Sequence, residues 1–201
     1  HGHQVGRMLS ELENILLKER PHTLLVQGDT NTVLAGALIA SKIVGMKLGH
    51  VEAGLRSYDR DMPEEVNRIL TDHVSDYLFA PTPGARDILK REGIAPKKIF
   101  MTGNTIVDAV TQNLRIAHKK SCNLPYGLRE KNGFILLTLH RQENVDDKKK
   151  MSAILSGLER VSGHFQMPIV FPAHPRTVKM IKQLGLTLPK SVQAHEPAGF
   201  L

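Results

Sequence analysis

Tryptophan is absent from this 201-residue chain, and other large rings are scarce, at three Tyr and six Phe. A surface that stacks nucleic-acid bases interleaves aromatic with basic side chains. The net charge of +7 is therefore read as favouring small anionic ligands, with no nucleic-acid partner expected. The run Lys148-Lys149-Lys150 adjoins Asp146 and Asp147 and reads as a solvated helix start. Cysteine occurs once, at Cys122, which excludes an internal disulfide framework and fits a reducing cytoplasm. No apolar stretch approaches the roughly 18 residues that span a bilayer, so no membrane partner is expected. Metal-ligand spacings such as H-x-x-x-H, C-x-x-C or an EF-hand loop do not occur, and a complete G-x-G-x-x-G is missing. Neither a metal site nor nicotinamide binding is expected.

A hydrophobic content of 41% beside 23% charged residues places the chain among ordinary globular proteins. Val5, Met8, Leu9, Leu12, Ile15 and Leu16 recur at helical spacing and predict a helix over about 5–19, ended by Arg20-Pro21. Strands are expected at 24–26, 47–52, 77–80 and 99–102, with helices at 30–44, 63–74, 84–92 and 105–119 between and after them. Pro63 suits the first turn of its helix. Residues 121–132 lack periodic apolar positions and read as a linker. A second series follows: strand 134–139, loop, helix 147–162, strand 169–172, helix 175–184 and strand 191–194. Such alternation means βαβ units and parallel sheets, an α/β fold. The chain opens at His1 and stops just after a strand, so it is read as the middle of a longer protein.

Ligands of open α/β sheets bind beyond the carboxyl ends of strands, and the polar clusters lie there. Gly28-Asp29-Thr30 either caps a helix or places Asp29 at a substrate site with helix amides facing an anion. Glu52, ending an apolar strand beside Gly54, needs a partner or a raised pKa; the alternative is an internal salt bridge to Arg56 or Arg68. Glu64 and Glu65 favour the first turn of a helix through its dipole, and Arg68 is spaced to pair with Glu64 on one face. His140-Arg141-Gln142-Glu143-Asn144 combines a proton carrier with a phosphate-binding fork of donors. His174-Pro175-Arg176 repeats that pattern more weakly. Three carboxylates and several guanidiniums point to acid/base chemistry on an anionic substrate.

Read together, these segments resemble the non-hydrolysing UDP-N-acetylglucosamine 2-epimerases. They are Val26-Gln27-Gly28-Asp29-Thr30, Gly49-His50-Val51-Glu52-Ala53-Gly54-Leu55-Arg56, Pro63-Glu64-Glu65 with Asn67-Arg68, Gly103-Asn104-Thr105, Thr138 through Asn144, and Pro172-Ala173-His174-Pro175. The resemblance implies two Rossmann-like domains of the GT-B kind, both incomplete here: residues 1–120 with the catalytic carboxylates, and residues 133–201 binding nucleotide. It implies interconversion of UDP-GlcNAc and UDP-ManNAc by elimination of UDP to 2-acetamidoglucal and re-addition, with no redox cofactor. It assigns Asp29, Glu52, Glu64 and His140 to catalysis. Thr30, His50, Arg56, Arg68, Asn104, Arg141, Glu143, Asn144 and His174 would bind substrate. A homodimer is expected of the full-length form.

The family's opening G-T-R-P-E and later T-D-S-G-G-x-x-E-E are not among these residues, so the piece alone is expected to be inactive or unstable. A hydrolysing 2-epimerase releasing ManNAc and UDP, a non-catalytic sugar-nucleotide-binding domain and a glycosyltransferase of the same architecture are the alternatives. The P-E-E-x-N-R segment speaks against the last of these.

Overall fold

The computed structural model of the chain describes residues 2–119 and 133–197. Its elements run α1 (Gly2–Glu19), β1 (Thr23–Gln27), α2 (Asn31–Lys42), β2 (Lys47–Val51), α3 (Pro63–Val74), β3 (Tyr77–Ala80) and α4 (Pro83–Arg91). A 3-10 turn at Pro96–Lys98 then leads into β4 (Ile99–Met101) and α5 (Thr105–Lys119). The second series is β5 (Ile135–Leu136), α6 (Gln142–Val145), α7 (Lys148–Phe165), β6 (Ile169–Pro172), α8 (Pro175–Gln183) and β7 (Val192–His195). The chain divides into two compact units, residues 1–111 and 112–201, and the division falls inside α5. The expected linker at 121–132, with Cys122, lies outside the described residues.

In the first unit four strands pair in parallel in the order β1-β2-β3-β4. Val26 lies opposite His50, and Gln27 opposite Val51. That register sets the ends of β1 and β2 level, so the loops bearing Asp29 and Glu52 leave the sheet side by side. Helix α2 packs Ala37 and Ala40 onto Leu48, with Leu24 and Val26 alongside. Its small residues permit this: a Cβ added at Gly36 would lie 3.3 Å from the Val26 side chain. A second cluster joins Ala53, Leu78, Ala80, Ala85 and Leu89 beneath α4.

The second unit pairs β5-β6-β7 in parallel. The expected strand over 134–139 shortens to Ile135–Leu136. The register explains it. Leu137 still donates to the Val170 carbonyl at 2.9 Å, but its own carbonyl would next take the amide of residue 172. That residue is proline, which has none. The loop expected before α7 also holds the short helix α6. Val145, Met151, Leu155 and Ile181 form the core under α7 and α8.

Among the described residues no helix is long and apolar enough to cross a membrane, and no group of three or more His, Cys, Asp or Glu is placed to hold a metal ion.

Candidate active site

Beyond β1 the chain turns at Gly28, whose φ of +82° suits glycine. Thr30 then caps α2, its hydroxyl accepting from the Val33 amide at 3.4 Å. Capping by Thr30 leaves the neighbouring Asp29 carboxylate one-third exposed, and it receives a bond from Arg68 Nη2. The Asp29 carbonyl accepts from Asn67 at 2.8 Å. Both partners come from α3, where Pro63 at the first turn starts the helix without a side-chain cap.

Beyond β2, Glu52 adopts a left-handed backbone, φ +71°, a region that a non-glycine residue enters at a cost of roughly 1–3 kcal/mol. Its Oε2 lies 3.8 Å from where a Cβ on Gly28 would stand. The Glu52 carboxylate thus lies against the glycine that directly precedes Asp29. Neither arginine considered as a partner reaches Glu52: Arg56 binds Asp72 and Glu92, and Arg68 binds Asp29 and Glu65.

The pairing expected between Glu64 and Arg68 is replaced by one between Glu65 and Arg68, at 2.9 Å. Glu65 is buried, and Glu64, its neighbour in the same turn, is exposed. The buried Glu65 carboxylate accepts from the Ser57 amide at 2.9 Å, the Ser57 hydroxyl at 3.0 Å and the Tyr58 amide at 3.0 Å. Burial pushes its pKa up, but these bonds and the Arg68 charge outweigh that and hold it below the ordinary Glu value.

His50 and Arg56 are interior residues. His50 Nδ1 lies 2.6 Å from Asp72 Oδ1, and its Nε2 lies 2.9 Å from the Gly28 carbonyl. Arg56 bonds Asp72 at 2.7 Å and Glu92 at 2.6 Å. Burial opposes the Arg56 charge, but these two carboxylates more than offset it and raise its pKa. Asn104 caps the start of α5, accepting from the Ile106 amide at 3.0 Å. Next to it, Thr105 accepts from Gln27 at 3.3 Å.

In the second unit His140 is exposed, 3.3 Å from the Thr138 hydroxyl. Arg141 and Glu143 are exposed and loosely paired at 3.9 Å. Asn144 is half-buried, its amide bonded to the Arg141 carbonyl at 3.1 Å. His174 caps α8, its Nδ1 accepting from the Arg176 amide at 3.2 Å. Arg176 meanwhile grips Asp146 through two bonds of 2.9 and 2.7 Å.

Asp72 and Glu92 were not singled out by sequence, and Asn67 was noted only within its segment, without a role. Helix α3 buries Glu65, Asn67, Thr71 and Asp72 while exposing Leu70. Glu65, Arg68 and Asp72 recur at i, i+3 and i+7, so the spacing that normally marks an apolar face here marks a polar one. That signal was available.

A family model described as UDP-N-acetylglucosamine 2-epimerase matches residues 1–201. A UDP-N-acetylglucosamine 2-epimerase of Methanococcus maripaludis is 51% identical over 208 residues, covering 100% of this chain and 56% of the relative. A UDP-2,3-diacetamido-2,3-dideoxy-D-glucuronate 2-epimerase of Pseudomonas aeruginosa is 47% identical over 203 residues, covering 100% and 55%. Among solved structures, the Methanocaldococcus jannaschii UDP-GlcNAc 2-epimerase in complex with UDP-GlcNAc and UDP matches with a TM-score of 0.87 and 49% identity, covering 100% of this chain and 56% of that one. The chain thus spans a little over half the length of these relatives.

Proposed function

Since the chain belongs to the UDP-N-acetylglucosamine 2-epimerase family, we propose that the protein carrying it inverts C2 of UDP-GlcNAc to give UDP-ManNAc without hydrolysis. The observation that carries this reading is that the loops bearing Asp29 and Glu52 leave β1 and β2 side by side, with the Glu52 carboxylate against Gly28 and Arg68 bonded to Asp29. The proton on C2 has no carbonyl neighbour to acidify it. A carboxylate takes that proton while the C1–O bond to UDP breaks, and a C1=C2 double bond forms. Return of UDP to C1, with a proton delivered to the opposite face of C2, completes the inversion. Such transfer needs acid and base groups on both faces of the ring. Asp29, Glu52 and Glu64 are assigned to it, with His140 as a further proton carrier. Thr30, Asn104, Arg141, Glu143, Asn144 and His174 are assigned to holding the nucleotide sugar, and the protein is proposed to act as a homodimer.

The Pseudomonas relative favours a second substrate for the same chemistry, a 2,3-diacetamido uronate linked to UDP. The test is incubation of a chain of the relatives' full length, carrying these residues, with each UDP-sugar in deuterium oxide. UDP-ManNAc bearing deuterium at C2 is the expected product. Free ManNAc with UDP would replace the reading by a hydrolysing epimerase. Turnover of the diacetamido uronate alone would move it to that substrate.

A further inference from the structure

Asp72 is a fully buried carboxylate on α3 that no step above uses. Its Oδ1 meets His50 Nδ1 at 2.6 Å. Its Oδ2 accepts the Gly54 amide at 3.1 Å and lies 2.7 Å from Arg56 Nη1. His50, equally buried, extends the chain of bonds from Nε2 to the Gly28 carbonyl at 2.9 Å. Each ring nitrogen of His50 thus meets an oxygen of a different segment. Gly28 directly precedes Asp29. His50 and Gly54 stand two residues before and two after Glu52. One carboxylate therefore holds the chain directly on either side of the strained Glu52, and it reaches the loop that carries Asp29 through His50. A left-handed non-glycine backbone persists only where its surroundings over-determine it. Buried ionic clusters are weak sources of stability, so this one is better explained by the geometry it fixes.

We infer that the Asp72–His50 pair is a positioning device: it holds the left-handed backbone of Glu52 and the Gly28–Asp29 turn in one fixed relation without touching substrate. The inference rests on the acid/base reading of Asp29 and Glu52. Asp72 and His50 are positioning residues, and their loss acts through the carboxylates they align.

The test uses a chain of the relatives' full length with His50→Gln and, separately, Asp72→Asn. A misplacement of about 1 Å lowers kcat by about 10²-fold, and this fall is expected while the UDP dissociation constant stays within about threefold. Placed on Glu52→Gln, the Asp72→Asn change is expected to lower the remaining rate by less than about threefold, since both act on one step. A crystal structure of His50→Gln is expected to show Glu52 out of the left-handed region or its carboxylate displaced from Gly28. A folded variant with parental kcat, losses that multiply in the double variant, or an unmoved Glu52 would each overturn the inference. Should Asp72→Asn not fold, His50→Gln decides, because it leaves the Arg56–Asp72 pair in place. Should the parent turn over no UDP-sugar, the proposed function fails. The crystal structure of His50→Gln then judges the positioning by itself.

Discussion

Arg68 donates through Nη2 to the carboxylate of Asp29, a residue 39 positions away in sequence. Its other arm holds Glu65, which in turn holds the Ser57 and Tyr58 amides. One guanidinium thus couples the loop after β1 to the loop before α3. Lysine offers a point charge in place of a fork and cannot serve both carboxylates in that geometry. Arg68→Met is expected to destabilise the protein by about 1–3 kcal/mol, since it leaves a buried acceptor short of a donor. Arg68→Lys is expected to cost less. Urea denaturation of both variants checks the order.

Glu65 should govern part of the acid limb of stability. Its native pKa lies below the ordinary Glu value, so the ionised form is favoured by folding. That contribution is complete above the unfolded pKa of about 4.3 and is lost as pH falls through the lower native value. Thermal melts from pH 7 down to 3 should show Glu65→Gln less stable than the parent near neutrality and the gap narrowing on acidification. A gap that widens toward low pH would contradict the assignment.

The neighbouring glutamates should separate by kind of defect. Glu64 is exposed, so Glu64→Gln should stay within about 0.5 kcal/mol of the parent in stability. On the proposed chemistry, removing a proton-transfer group lowers kcat by about 10²-fold or more. Full activity in Glu64→Gln would remove that residue from the mechanism.

Two glycines should respond with opposite signs to alanine. At Gly54, φ is +82°, and a Cβ would sit 2.5 Å from the Ala85 carbonyl oxygen and 2.9 Å from Leu89 Cγ. Backbone cannot yield there as a side-chain tip would, and Gly54→Ala should cost more than about 2 kcal/mol. Gly157, inside α7, has nothing within 4 Å of its added Cβ. Gly157→Ala should stabilise by about 0.5–1 kcal/mol through helix propensity. Paired denaturation curves test both.

Elements whose signals are local were legible in the sequence. Pro63 marks the start of α3, and the expected range 63–74 coincides with Pro63–Val74; the strand at Tyr77–Ala80 and the helix at Thr105–Lys119 likewise match. That the loops after β1 and β2 share one edge of the sheet followed from parallel topology; that they are neighbours follows from the observed strand order. What stayed hidden depends on partners far along the chain. Which of Glu64 and Glu65 turns inward is set by a rotation of about 100° per residue about the α3 axis, and the outer carboxylate looks no different in one dimension. His50 was grouped with substrate-binding residues through the family resemblance; its partner Asp72 comes 22 residues later, from the buried side of a helix. The shortening of β5 was set by Pro172 on the strand beside it.

If Glu52 serves the proposed proton transfer, its unfavourable torsion places robustness and turnover in opposition. Glycine at that position would relax the chain, a gain on the order of 1 kcal/mol, and would delete the carboxylate with it. On the proposed chemistry, directed evolution for heat tolerance alone would therefore drift toward glycine at residue 52 and recover inert protein. Selection for product would keep the awkward glutamate.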